Sequence, residues 1–448
     1  MEKLYLREIA AACKGEIIFG SDDVFVESVV IDSRKVTENS LFIGIAGERA
    51  DGNSYVMSAF EKGASAAIIE KDVEMIPTDT KGLIRVEDSK KAMLALASWY
   101  KSKLGAKFIA VTGSTGKTSV KDMLHGMLST RYKVFKTRGN YNNDIGLPLM
   151  LFSMDRSYDM AVLEMGMSDL GEIRLLADLV RPESALITNI GISHIENLKT
   201  QENILKAKME VTEFFREDSN LFINADDEFL KTVTSDSYRV ITAGVEGGFY
   251  KAENITLGRR ECEFDVVRNG VKIGRAKLEA PGMHNVYNGI LCIACALHYG
   301  ITMEDIRHMF FDKTSQRLEE TRYENITVIN DTYNASPDSM KSGLSVLSMA
   351  EGRKVALLGD MKELGSHSDQ SHRDIGKLAR EKADLLIAVG DNYKMYGEGF
   401  GSQDFYGYPA YEDAVIAVPN LLEKGDTVLL KASRSMEFER FLNILERI

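Results

Sequence analysis

Apolar residues fall in short uninterrupted runs along most of the chain, and these runs alternate with amphipathic stretches. FIAVT from Phe108, MAVLEM from Met160, ALITNI from Ala185 and LFINA from Leu221 each read as a strand buried on both faces, with helical patterns between them. A parallel sheet covered by helices has this signature. The alternation restarts after Arg317 with ITVIND, VALLGD, LLIAVG and TVLLKA, which predicts a further, smaller α/β unit. Ahead of both, the pattern predicts a helix over Tyr5 to Cys13, strands at Val24 to Ile31 and Leu41 to Ile45, a helix over Tyr55 to Lys62 and a strand at Ala66 to Ile69.

The expected organisation is therefore α/β in three domains: a small α/β domain over residues 1–82, a central domain over 83–314, and a C-terminal domain over 315–448. Asp72 to Gly82, which contains Pro77, reads as a bridge, and Ser89 to Lys103 as the amphipathic helix that follows it. Within the central domain, Cys262 to Val267 and Val271 to Leu278 flank Asn269-Gly270, a two-residue hairpin signal that predicts a β insertion. Helices from Asn285 and Met303 close that unit.

Composition narrows the function. With 448 residues, 44% of them hydrophobic and 27% charged, the chain exceeds what one core supports and has the make-up of a globular protein. A net charge of -12 argues against broad nucleic-acid or anionic-membrane binding while allowing a local site for a phosphorylated ligand. The N-terminal apolar run is broken by charges, and the stretch from Gly289 to Leu297 is too short to span a bilayer, so no membrane insertion is expected. The chain has four cysteines, which fits a reducing cytoplasm. Cys292 and Cys295 form a C-x-x-C inside an apolar helical pattern and are expected to be core residues.

The strongest chemical signal is Gly113-Ser114-Thr115-Gly116-Lys117-Thr118-Ser119, between the strand from Phe108 and a helix over Val120 to Leu128. Glycines let backbone N–H groups turn toward an anion, and the helix N-terminus adds partial positive charge there. Lys117 is expected to reach the β- and γ-phosphates of ATP, and the Thr118 hydroxyl to ligate Mg²⁺. The spacing departs from the longer phosphate-loop pattern, whose first glycine is replaced by Val111. Glu164 ends the strand MAVLEM, where a nucleotide-bound Mg²⁺ needs an oxygen ligand, although a solvated strand end reads the same way. His194 follows ALITNI; a lone histidine is more often structural than a ligand.

These segments together resemble the Mur ligase family of ATP-dependent, amide-forming enzymes of peptidoglycan precursor synthesis. The resemblance is carried by GSTGKTS, Glu164, TNIGISH, NADD from Asn224, GMHNVYN, Arg317, GNYNNDIGLP from Gly139, DTYNASPDSM from Asp331, LGDMKELG from Leu358 and KASRSME from Lys431. It implies a central P-loop domain and a C-terminal Rossmann-like domain. It also implies that ATP phosphorylates the terminal carboxylate of UDP-N-acetylmuramoyl-tripeptide and that the amine of D-alanyl-D-alanine attacks the acyl phosphate. Two Mg²⁺ ions follow from the resemblance, the second at Glu164 and His194. A carbamylated lysine supporting that metal corresponds to Lys208 better than to Lys206.

By the same resemblance Asn224, Asn285 and Asp331 contact adenine and ribose, and Arg317 lies near the γ-phosphate. Ser33, Arg34 and Arg49 belong to loops for the UDP moiety, and Asn142 and Asn143 to a substrate segment. Asn334, Ser336, Ser433 and Arg434 face the amine, where the Arg434 guanidinium suits a dipeptide carboxylate. Read alone, these are polar turns, helix caps and a surface arginine. Other readings are a Mur ligase that adds the third amino acid, a folylpolyglutamate-type ligase, and a P-loop ATPase working on a macromolecule. A monomer is expected.

Overall fold

The computed structural model describes residues 1–47, 50–73, 80–310 and 316–448. Arg49, most of the expected bridge and the expected boundary at 314/315 lie outside the described residues. The architecture is α/β in three sheets that follow one another along the chain, plus a two-stranded ribbon.

In the N-terminal unit, Glu16–Phe19, Gly82–Arg85, Ala64–Ile69, Ser40–Ile43 and Ser28–Val30 form a five-stranded sheet in that order. Gly82 thus opens a strand of this sheet. Its parallel pairing with Ala66 carries the N-terminal unit past the boundary expected at residue 82. The strand expected over Val24 to Ile31 is two: Phe25–Val26 pairs with Leu4–Tyr5, and Ser28–Val30 pairs with Ser40–Ile43. Glu27 breaks the run because its N–H donates to Asn39 O at 2.8 Å.

The central sheet has nine strands. From one edge these are Val271–Leu278, Cys262–Arg268, Tyr250–Leu257, Arg239–Gly244, Asn220–Asn224, Ser184–Ile187, Lys107–Thr112, Met160–Glu164 and Val134–Lys136. The expected β insertion continues this sheet as its antiparallel edge, turning at Asn269 (φ 48°) and Gly270 (φ 78°). The seven remaining strands run parallel, and those beside the phosphate loop are buried throughout, as their continuous apolar sequences require. Helix Met283–His298 packs on helix Lys117–Leu128, with Cys292 and Cys295 fully buried between sheet and helix. Among the described residues no helix is long and apolar enough to cross a membrane.

The C-terminal sheet orders Glu319–Arg322, Thr327–Asn330, Thr427–Lys431, Lys354–Gly359, Leu385–Val389 and Phe405–Tyr408, parallel except at the first edge. The carboxyl ends of its strands face those of the central sheet across a cavity of about 1220 Å³, lined by residues of both units.

Candidate active site

The phosphate loop leaves the strand Lys107–Thr112 between its two neighbours, Met160–Glu164 and Ser184–Ile187. Two glycines make its path possible. At Gly113 (φ 146°) a Cβ would lie 1.8 Å from Thr188 Oγ1, and at Gly116 (φ 80°) it would lie 2.8 Å from Asn288 Oδ1. Only glycine fits such a backbone pressed against its neighbours. Asn189 braces the loop from the adjacent strand end. Its Oδ1 accepts from Thr115 N at 3.0 Å and its Nδ2 donates to Thr115 Oγ1 at 2.9 Å, while Thr188 Oγ1 donates to Thr115 O at 2.5 Å. Ser114 is tied to Gly191, whose N–H donates to Ser114 Oγ at 2.9 Å.

The helix begins at Lys117 itself, three residues earlier than the expected start at Val120, which places its N-terminal N–H groups directly behind the loop. Lys117 Nζ folds back to donate to Gly113 O (2.8 Å) and Ser114 O (3.3 Å). Burial lowers its pKa, opposed by the Glu164 charge. Thr118 Oγ1 donates to Glu164 Oε2 at 3.0 Å, and Asn142 Nδ2 donates to Glu164 Oε1 at 2.9 Å. Asn143 Oδ1 accepts from Gly146 N at 2.8 Å, in the turn that leads into the next helix.

Arg317, from the C-terminal unit, reaches into this cluster. Nη2 donates to Thr118 Oγ1 at 3.3 Å, the guanidinium lies 4.0 Å from the Tyr333 ring centroid, and Nε is buried without a partner among the described residues. An unsatisfied guanidinium donor beside a glycine loop is suited to a phosphate oxygen. His194 lies past the end of its strand in the left-handed region (φ 62°), and its Nδ1 is 2.5 Å from Glu363 Oε2.

Lys208 and Lys206 differ sharply. Lys206 is exposed, whereas Lys208 is 1% exposed and its pKa is driven well below the ordinary lysine value by burial, with Lys117 adding to the effect. Asn224, Asn285 and Asp331 line the cavity. Asn285 Nδ2 donates to Pro281 O at 2.7 Å, and Asp331 Oδ2 accepts from Lys431 Nζ at 2.5 Å. His284, in the same lining, has its pKa lowered to about 4, chiefly by burial. Asn334, Ser336, Ser433 and Arg434 also line the cavity. Arg434 is engaged: Nη1 donates to Glu439 Oε1 at 2.7 Å and to Gln316 Oε1 at 3.0 Å.

Of the expected residues of the central and C-terminal units, all but Gly113 and Lys208 line one cavity. Ser33 and Arg34 are absent from its lining, and the Arg34 guanidinium is exposed and paired with Asp32 at 2.8 Å. Sequence reading gave no role to Thr188, Asn189, Lys431 or Glu363. Each lay inside a quoted motif, but its partner is distant in sequence.

Residues 111–296 match the Mur ligase middle domain, 316–434 the Mur ligase, glutamate ligase domain, and 26–101 the Mur ligase family, catalytic domain. The UDP-N-acetylmuramoyl-tripeptide--D-alanyl-D-alanine ligase of Bacillus subtilis (strain 168) is 36% identical over 456 residues, covering 99% of each chain. The chain belongs to the Mur ligase family. The enzyme of the same name from Escherichia coli (strain K12) is 30% identical, covering 95% of this chain and 94% of that protein. A crystal structure of MurF from Acinetobacter baumannii superposes over 100% of both chains with a TM-score of 0.91 at 28% identity. MurF ligase from Thermotoga maritima, solved in complex with ADP, superposes with a TM-score of 0.83 at 26% identity, over 94% of this chain and 97% of that one. This Mur ligase shares its three-domain α/β fold with those structures.

Proposed function

We infer that this Mur ligase uses ATP to join D-alanyl-D-alanine to UDP-N-acetylmuramoyl-tripeptide. The carrying observation is the single cavity that holds the phosphate loop on one wall and Asn334, Ser336, Ser433 and Arg434 on the other. It is supported by full-length similarity to enzymes of that name.

A carboxylate is a poor electrophile, so a carboxylate oxygen of the tripeptide first attacks the γ-phosphorus and ADP departs. The dipeptide's amine nitrogen then attacks the acyl carbon, phosphate leaves with the C–O bonding pair, and the amine gives up a proton. Lys117 and the free N–H of Arg317 carry positive charge to the meeting point of two anions, and the loop N–H groups hold the phosphates. Asn224, Asn285 and Asp331 orient the nucleoside, with Ser114, Thr115 and Ser119 of the loop beside the phosphates. Asn142 and Asn143 face the tripeptide; Ser33, Arg34 and Arg49 serve its UDP end.

The Thr118 hydroxyl and Glu164 carboxylate, 3.0 Å apart, are hard oxygen donors that fit Mg²⁺. His194 and Glu164 are the candidates for a second ion. Bound Mg²⁺ would supply charge neutralisation to the phosphates. Lys208 is assigned as the carbamylated residue: a buried amine held neutral can attack CO₂ and lose a proton, giving a carboxylate-like oxygen donor. The enzyme acts as a cytoplasmic monomer in this reading.

The test is a coupled ADP-release assay with UDP-linked muramoyl tripeptides carrying lysine or diaminopimelate and a panel of amines. Turnover that requires both a tripeptide and D-alanyl-D-alanine supports the reading. Equal ADP release from ATP alone, or preference for a single amino acid, overturns it.

A further inference from the structure

Two consecutive residues, Lys362 and Glu363, touch both sides of the cavity. Lys362 N donates to Ser433 Oγ at 2.9 Å, and its Nζ is held by Asp360 at 2.8 Å and Asp391 at 3.1 Å. Glu363 reaches the other way. Its Oε2 lies 2.5 Å from His194 Nδ1, and its carbonyl accepts from Glu196 N at 3.3 Å. Two residues on, Gly365 (φ 51°) approaches so closely that a Cβ would sit 3.3 Å from Glu196 Cα.

The two partners share an unusual backbone. His194 (φ 62°) and Glu363 (φ 63°) are both non-glycine residues in the left-handed region, and they meet across the junction between the central and C-terminal units. Such conformations are unfavourable for residues that carry a Cβ and persist where surrounding contacts hold them. His194 Nδ1 is buried and makes no hydrogen bond of normal geometry among the described residues; the group beside it is the Glu363 carboxylate, 169 positions away and in a different unit. The contact also holds the Glu363 carboxyl below the usual carboxylate range.

We propose that Lys362-Glu363 is a two-sided brace in which Glu363 is a positioning residue. It fixes the His194 ring and docks the C-terminal unit on residues 194–196 of the central unit, while Lys362 fixes Ser433. Placement of the amine-binding wall is thereby coupled to the phosphate-binding wall. The significance for turnover rests on the ligase reading; the brace itself does not.

Hydrogen–deuterium exchange on the full-length, ligand-free protein tests the brace without any assumption about the reaction. In Glu363→Ala, amides of residues 192–198 are expected to exchange about tenfold faster, because local opening sets their rate, while the N-terminal sheet is unchanged. Glu363→Gln keeps an acceptor oxygen and should restore most of the protection. In the ligation assay the Ala variant should lose about tenfold in kcat with KM for ATP within about twofold, and Gln should recover the rate. Unchanged exchange at 192–198 in the Ala variant overturns the brace, and lost turnover with that result would place Glu363 on the substrate instead. A Gln variant as impaired as Ala in exchange also overturns it. A wild type without ligase activity would sink the function proposed above and leave the exchange result standing.

Discussion

Lys431 and Asp331 form an ion pair at 2.5 Å in which both side chains are almost wholly buried, at the carboxyl ends of adjacent parallel strands. Burial pulls the Lys431 pKa down and the Asp331 charge opposes it. Lys431 also donates to Asn334 O at 3.0 Å, so one ammonium holds the turn from Asp331 to Asn334 in the cavity lining. Removing one partner of a buried pair leaves the other charge uncompensated, which costs about 3–5 kcal/mol. Lys431→Met should therefore lower the melting temperature strongly, and Lys431→Met with Asp331→Asn should be less destabilised than Lys431→Met alone. Scanning calorimetry of the three proteins decides it; a double variant no better than the single one would show that Asp331 is not the partner that matters.

Lys117→Ala should abolish ligation at a folded protein. Loss of a preorganised charge at a phosphoryl-transfer site costs about 10² to 10³ in rate. Its two hydrogen bonds to Gly113 O and Ser114 O are local, so the melting temperature should change little. Near wild-type turnover at saturating ATP would remove Lys117 from the phosphate site.

The parts of the molecule that could be read in the sequence are those with local causes. Uninterrupted apolar runs such as MAVLE and LLIAV, buried at every position, identified the sheet strands. The order strand, glycine loop, helix was legible in the sequence and is present in the structure. Edge strands were missed: Glu319–Arg322 is mostly exposed and charged, and Phe405–Tyr408 is aromatic but only half-buried and interrupted by Gly407, so neither shows the uninterrupted aliphatic run of the inner strands. Gly113 could be singled out as a glycine, but its reason, the Thr188 side chain against its Cα, lies 75 residues further on. Lys431 and Glu363 were invisible as partners for the same reason: tertiary pairing, not local pattern, gives them their roles.

Lys208 and Lys206 offer a sharp comparison, since they are two residues apart on one helix. Burial holds the Lys208 amine well below the ordinary lysine pKa, which favours the neutral form that reacts with CO₂, whereas Lys206 is exposed. Lys208→Ala should impair turnover, short carboxylates should partly restore it, and Lys206→Ala should be tolerated. Equal activity of the two variants in the same assay would exclude a carbamate.

His284 sets a pH dependence. Its folded pKa of about 4 lies below the unfolded value of about 6.5, so between those values the unfolded chain binds a proton that the native state does not. Its contribution to stability is therefore fully present above about pH 6.5, falls as pH drops toward 4, and stays lost below that. Thermal melts at pH 7.5 and pH 5 should show a fall in melting temperature that His284→Asn reduces. An undiminished fall in the variant would place the acid sensitivity elsewhere.

Arg434 is the residue whose structure most changes its prediction. It lines the cavity, but its guanidinium is 58% exposed and Nη1 is already shared between Glu439 and Gln316. A dipeptide carboxylate at Arg434 must compete with the Glu439 carboxylate, and exposure screens what either contact is worth. Arg434→Lys, which loses the planar two-donor fork, should thus weaken D-alanyl-D-alanine binding by about tenfold, the low end for a charge-assisted hydrogen bond. Glu439→Gln should have the opposite effect and lower the Michaelis constant for the dipeptide, since it frees the guanidinium without removing it. Amidating the dipeptide's carboxyl should cost wild type as much as Arg434→Lys does, and the two changes together should not multiply, because they break one contact. Multiplying penalties, or an effect of Arg434→Lys on the Michaelis constant for ATP, would mean that Arg434 serves its Glu439 and Gln316 contacts and that another group receives the carboxylate.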